Sequence, residues 1–173
     1  MVVGKPLFTV EQIQQRVREL ADLLSRDYEG RDLVAVGILR GAFMFLSDLV
    51  RAIRVPLTVD FLTASSYVKE ATTGEVKVYY DVREDVSGRD VLLVEDIVDT
   101  GITLNHIRER MLLKRPRSLK ICTFLDKKER RVVEVPLDYT GFEIPNEFVV
   151  GYGLDYDNRF RNLPYIAVFR KSV

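Results

Sequence analysis

The chain carries one cysteine and one histidine in 173 residues. Cys122 therefore has no partner for an internal disulfide, and its place in the apolar run Leu119–Leu125 predicts a buried strand thiol. His106 falls off the apolar face formed by Leu104, Ile107 and Met111, which predicts an exposed, inert ring and disfavours a histidine base or triad. An excess of either charge is also missing: 26 basic side chains face 26 acidic ones, with pI ≈ 6.6. That balance offers no basic face for nucleic acid. No stretch approaches ~18–20 continuous apolar residues, so no membrane span is expected, and the chain reads as soluble and cytoplasmic. Two phosphate-binding patterns are absent as well. Without Gly-x-x-x-x-Gly-Lys-Ser/Thr a P-loop NTPase is excluded, and without Gly-x-Gly-x-x-Gly after a strand so is a dinucleotide fold. No repeat, linker or low-complexity segment divides the chain, so residues 1–173 read as one domain with a real core.

What is present is an alternation of strands and helices. Thr9 is placed to cap a helix over Val10–Asp27, with Ile13, Val17, Leu20 and Leu24 on one face. Leu33–Leu39 reads as a buried strand, Phe43–Ile53 as a helix and Leu57–Leu62 as the next strand. Ala64–Glu75 has small, polar and charged residues without a period, which predicts a mobile loop. Val76–Val82, Leu119–Leu125, Phe148–Val150 and Ile166–Phe169 read as further strands. Such alternation predicts an α/β fold with a largely parallel sheet.

The most informative segment is Val91–Leu104, Val-Leu-Leu-Val-Glu-Asp-Ile-Val-Asp-Thr-Gly-Ile-Thr-Leu. Val91–Val94 suits a strand covered on both faces. Ile102, Leu104, Ile107 and Met111 recur at helical spacing. The turn between them, Asp99-Thr100-Gly101-Ile102-Thr103, presents unpaired amides at a helix start, where the dipole favours phosphate oxygens. Gly101 lets backbone approach closely, and Thr100 and Thr103 add hydroxyls. Glu95, Asp96 and Asp99 would repel a phosphate alone. A sugar donating its hydroxyls to carboxylates, or a divalent cation bridging carboxylate and ligand, accounts for them. The segment therefore points to a sugar phosphate with magnesium nearby, against the plain reading of a capped helix beside surface acids.

Val91–Thr103 resembles the phosphoribosyl-pyrophosphate (PRPP) motif of type I phosphoribosyltransferases. Leu39-Arg40-Gly41, Ser65-Ser66-Tyr67, Asp126-Lys127-Lys128 and the stretch from Gly141 to Tyr156 occur in the order of the hypoxanthine-guanine branch of that family. The resemblance spans nearly the whole chain. It implies the type I fold: a largely parallel central sheet flanked by helices, a small hood and a mobile flap.

For the site, the resemblance implies that Glu95, Asp96, Ile97, Asp99, Thr100, Gly101, Ile102 and Thr103 bind the ribose phosphate. Leu39, Arg40 and Gly41 would form a pyrophosphate loop with a cis peptide between Leu39 and Arg40, although strand-to-helix punctuation also explains the tripeptide. Many relatives carry lysine where this chain has Arg40. Ser66 and Tyr67 would belong to a flap closing over the pyrophosphate, and no role is carried over to Val68–Thr73. Arg161 would grip the pyrophosphate, with Arg159 an exposed neighbour. Lys127 would meet the purine 6-oxo group, although Asp126-Lys-Lys-Glu-Arg-Arg131 also reads as a solvated charge run with Lys128 on the surface. Phe148 would stack on the base and the Val149 backbone would read its edge, against the plain reading of strand core. Asp155 is expected near the purine and, with Glu95 and Asp96, as a ligand for Mg2+. Asp99 would take the proton from purine N7.

The implied reaction joins PRPP to hypoxanthine or guanine in a homodimer or homotetramer, with neither nucleic acid nor membrane as partner. Two alternatives stay open. One is a xanthine- or pyrimidine-preferring transferase, and the other a nucleotide- and RNA-binding regulator on the same fold, which salt-dependent RNA binding would reveal.

Overall fold

The structure, a computed structural model, describes residues 2–67 and 75–170, with the side chains of residues 2–3, 65–67 and 75–77 left aside. In chain order the elements are β1 (Val2–Phe8), α1 (Val10–Asp27), β2 (Leu33–Leu39), α2 (Phe43–Ala52), β3 (Leu57–Tyr67), β4 (Glu75–Tyr80), β5 (Asp90–Val98), α3 (Ile102–Leu113), β6 (Ser118–Asp126), β7 (Tyr139–Glu143), β8 (Val149–Val150) and β9 (Ile166–Arg170). A 3-10 turn, Lys128–Arg130, follows β6.

Six strands form the main sheet in the order β4-β3-β2-β5-β6-β7. All neighbours run parallel except β4, which is antiparallel to β3. The continuous apolar runs of β2 and β5 are explained by their burial on two faces. Leu33 and Ala35 of β2, with Leu92 and Val94 of β5, pack toward α1 and α2. Val34, Val36 and Ile38, with Val91 and Leu93, pack on the other side with Leu104, Ile107 and Met111 of α3. Alternate residues of one strand thus feed two cores, as a pleat requires. Thr9 caps α1 as the spacing predicts: its hydroxyl accepts from the Gln12 amide, and Gln12 Oε1 accepts from the Thr9 amide. Cys122 is fully buried, its thiol pKa pushed up by burial, and His106 is exposed. No helix among the described residues is long and apolar enough to cross a membrane.

A second, antiparallel sheet of order β1-β9-β8 provides the small hood. One of its features and two of the main sheet differ from expectation. β1 contains Gly4 and Pro6, which argue against a strand by composition; it is an edge strand, where proline is tolerated. β7, also at an edge, contains Gly141, where a Cβ would collide with the Phe124 carbonyl of β6. The expected loop Ala64–Glu75 is shorter than composition suggests. β3 continues to Tyr67 and pairs in register with β4, Ser66 opposite Val76 and Tyr67 opposite Glu75. Ladder hydrogen bonds sustain this hairpin where apolar periodicity is lacking. Val68–Thr73 lie outside the described residues, as do the side chains of Ser66 and Tyr67.

Candidate active site

The chain leaves β2 toward β3 on one side, and β5 and β6 lie on the other. Parallel sheets bind ligands at the carboxyl ends of strands beside such a reversal. Here that crevice lies between the ends of β2 and β5.

At the end of β2 stands Leu39-Arg40-Gly41, with a cis peptide between Leu39 and Arg40. Register between β2 and β5 stops at Gly37–Val94, so the last residues of β5 are free of β2. Glu95 and Asp96 therefore belong to the strand itself, not to a turn beyond it, because β5 runs on to Val98 beside β6. Their carboxylates accept from local amides: Glu95 Oε1 from Asp96 N at 3.0 Å and Asp96 Oδ1 from Ile97 N at 2.7 Å. Lost hydration drives the Glu95 pKa well above the usual carboxylate range, and the Asp96 charge adds to it. Burial raises Asp96 as well, against its hydrogen bonds and the nearby Arg161 charge.

Gly41 is needed for the crevice to close. A Cβ there would strike the Asp96 carboxylate, so only glycine lets the β2 loop rest on the β5 acid. The Gly41 carbonyl in turn packs against Gly153, where a Cβ would clash with it. Arg161 ties this corner together: Nη1 donates to the Gly153 carbonyl at 2.6 Å and Nη2 pairs with Asp155 Oδ1 at 2.7 Å. Asp155 also accepts from Asn158 N at 2.7 Å. Arg159 is exposed.

Beyond β5, Asp99-Thr100-Gly101 leads into α3. Gly101 adopts φ 83°, and no side chain caps the helix. Its Cβ position is filled by the Val133 carbonyl, so alanine is excluded on two counts. An uncapped helix start of this kind leaves amides facing outward for an anion. Thr100 Oγ1 accepts from Ile102 N at 3.4 Å, a weak contact that leaves the hydroxyl available.

The segment after β6 clamps this turn, a role the charge run did not suggest. Lys127 N donates to the Val98 carbonyl, Val132 N and Val133 N both donate to the Thr100 carbonyl, and Arg131 Nε donates to the Asp99 carbonyl. Arg131 also pairs with Asp126, the two side chains 8% and 3% exposed. Lys127 is 8% exposed, and burial lowers its pKa, aided by Arg130 and opposed by Asp99. Only Lys128, Glu129 and Arg130 of the run lie on the surface, with Lys128 paired to Glu143. Arg130 and Arg131 were not legible as site residues; position immediately after a buried strand was the available signal.

Phe148 closes the far side. Its ring is 50% exposed and meets Tyr156 edge-on, while the buried Val149 begins β8 opposite Val168. A half-exposed aromatic face beside a strand edge can stack a planar base. Glu95 and Asp96 form a carboxylate pair, but no group of three metal-capable side chains converges among the described residues, and Asp155 is engaged by Arg161.

Comparison with known proteins agrees with this geometry. Residues 7–157 match the phosphoribosyl transferase domain family. The chain is 52% identical over 159 residues to hypoxanthine phosphoribosyltransferase of Salmonella typhimurium, covering 90% of this chain and 89% of that protein. It is 48% identical to hypoxanthine-guanine phosphoribosyltransferase of Lactococcus lactis, covering 99% of this chain and 93% of the relative. A crystal structure of a Bacillus anthracis hypoxanthine-guanine phosphoribosyltransferase with HEPES in its active site superposes with a TM-score of 0.94 at 44% identity, covering 98% of this chain and 100% of that one.

Proposed function

Since the chain belongs to the phosphoribosyltransferase family and is an enzyme of the hypoxanthine type, we propose that it transfers the 5-phosphoribosyl group of PRPP to hypoxanthine or guanine. The products are IMP or GMP and pyrophosphate, as purine salvage requires. The observation that carries this reading is the sequence of features along one edge: paired acids in β5, an uncapped α3 beyond Gly101, and a buried Lys127 beside Asp99.

The 5′-phosphate sits on the amides around Thr100, Gly101, Ile102 and Thr103. Glu95 and Asp96 accept from the ribose hydroxyls, with Ile97 shaping the strand between them and Asp99. Pyrophosphate lies along Leu39-Arg40-Gly41 and meets Arg161, and the family resemblance alone assigns Ser66 and Tyr67 to it. The purine stacks on Phe148, its edge against the Val149 backbone. Lys127 donates to the 6-oxo oxygen; an ammonium there would oppose the amino group of adenine, and such a mismatch in a dry pocket discriminates by ~10⁴.

In the transfer, the C1′–O bond breaks and pyrophosphate leaves with the electron pair. Purine N9 forms the new bond to C1′, and the N7 proton passes to Asp99. The residues act mainly by positioning and electrostatics. The Glu95–Asp96 pair would hold Mg2+, an ion that takes one or two carboxylates plus substrate oxygens, and Asp155 would join it only on release from Arg161. When bound, the ion neutralises charge on the departing pyrophosphate. We place the enzyme in the cytoplasm as a homodimer or homotetramer.

Initial rates with PRPP, magnesium and a panel of hypoxanthine, guanine, xanthine, adenine and uracil test the reading. Turnover of hypoxanthine or guanine over adenine is expected; preference for xanthine or uracil would overturn the substrate assignment.

A further inference from the structure

Asp99 carries an unusual contact. Its Oδ1 is buried and receives no hydrogen bond, yet Arg130 Nε lies 2.8 Å away. The guanidinium therefore faces this oxygen as an ion-pair partner whose N–H does not point at it. A buried acceptor without a donor is costly, and a nearby positive charge is one way to offset that. The charge fixes Oδ1 in place and leaves the exposed part of the carboxylate to Oδ2.

The pair adds little to the fold. Both side chains are about half exposed, Arg130 at 48% and Asp99 at 42%, and solvent screening leaves such pairs little weight in stability. The neighbouring Arg131 has the opposite character. It is buried, bonded to Asp126 and to the Asp99 carbonyl, and secures the backbone of the turn. Two consecutive arginines thus divide the work, Arg131 on the Asp99 main chain and Arg130 on its carboxylate. The short 3-10 turn Lys128–Arg130 sets this up, reversing the chain so that Arg130 returns to the end of β5 just after the Lys127 amide has bonded to the Val98 carbonyl.

We propose that Arg130 is a positioning residue for the transfer reaction: it holds the buried Oδ1 of Asp99, so that Oδ2, on the exposed side of the carboxylate, can accept the purine N7–H. The inference rests on the reading of Asp99 as the proton acceptor. Other charged groups around Asp99 are Lys127, which burial places beside it, and Arg131, which holds its carbonyl. Neither takes the place of Arg130 on Oδ1. The proton that leaves N7 ends on Asp99, and the charge of Arg130 is unchanged throughout.

The test is a double-mutant cycle on hypoxanthine transfer, with Arg130→Ala, Arg130→Lys, Asp99→Asn and the combined Arg130→Ala/Asp99→Asn. Arg130→Ala is expected to lower kcat by about tenfold, with the KM for PRPP and the melting temperature near those of the parent enzyme. Arg130→Lys should recover most of that loss, because it restores the charge. In the Asp99→Asn background, Arg130→Ala should have no further effect. An equal loss in both backgrounds would overturn the inference while sparing Asp99. So would a kcat unchanged by Arg130→Ala, or a change confined to the KM for PRPP. A kcat unaffected by Asp99→Asn would sink the Asp99 reading, and this inference with it.

Discussion

Lys127 and Asp99 interact electrostatically beyond the ends of β6 and β5, and the proposed reaction gives them different tasks. Lys127 is nearly enclosed and its pKa is lowered by burial, so it meets its partner as a dry donor. Lys127→Ala should therefore weaken hypoxanthine and guanine use selectively, by ~10²-fold or more in kcat/KM, while adenine remains a poor substrate at its original rate. Equal losses for adenine and guanine in parallel rate measurements would contradict the specificity role. Asp99 has one oxygen buried beside Arg130 and a side chain that stays 42% exposed. Asp99→Asn should lower kcat by about 10²–10⁴-fold, the usual contribution of a positioned acid or base, with a smaller change in KM. A parent-like kcat would remove it from proton transfer.

Among the elements, β5 with the start of α3 was the most legible. An apolar run, two acids and a Thr-Gly turn state their geometry locally, because each feature acts through its own backbone. The β2 loop was less so. Leu39-Arg40-Gly41 looks like ordinary punctuation until Asp96 is found where a Cβ of Gly41 would be. That collision predicts the effect of Gly41→Ala: the loop and the acid move apart by the order of 1 Å, and kcat/KM for PRPP falls by about 10²-fold. Melting temperature should change little, since the substitution lies in a turn. Unaltered kinetics would show that the loop and Asp96 do not share a ligand. What stayed hidden in the sequence depends on contacts between distant segments. β1 and β7 carry glycine or proline that argue against strands, and edge positions in the sheets tolerate them. The Ala64–Glu75 stretch lacks a period because its described ends, Ala64–Tyr67 and Glu75, are held by a two-stranded ladder and not by a core. Arg131 was masked by its company: in a run of charges, burial of one member against Asp126 is set by chain reversal, not by composition.

At the scale of the whole molecule, the two ends of the parallel sheet do different work. The carboxyl edge carries the groups proposed to bind substrate. The opposite edge is tied by an ionic network at the starts of β5 and β6, centred on the fully buried Asp90. It accepts from Arg117 Nε at 3.1 Å and Ser118 Oγ at 2.6 Å, with Arg31 at 3.9 Å. The Arg117 hydrogen bond is the leading cause that holds the Asp90 pKa below the usual carboxylate range, against burial. A pKa lowered on folding adds stability that is complete above the unfolded value, near pH ~4, and is lost as pH falls through the folded one. Asp90→Asn should cost about 1–3 kcal/mol at pH 7 by denaturant unfolding, and the gap from the parent should narrow below pH ~4. A gap that stays constant into acid would place the effect elsewhere. Catalysis above that range should be unaffected, because Asp90 lies at the other end of β5 from Glu95 and Asp96.

A crystal structure with GMP bound tests the account most directly. The account predicts the nucleotide phosphate on the amides of 100–103, the ribose hydroxyls against Glu95 and Asp96, and the guanine between Phe148 and Lys127 with N7 toward Asp99. Phosphate density on any other surface, or a ribose turned away from the two acids, would contradict it.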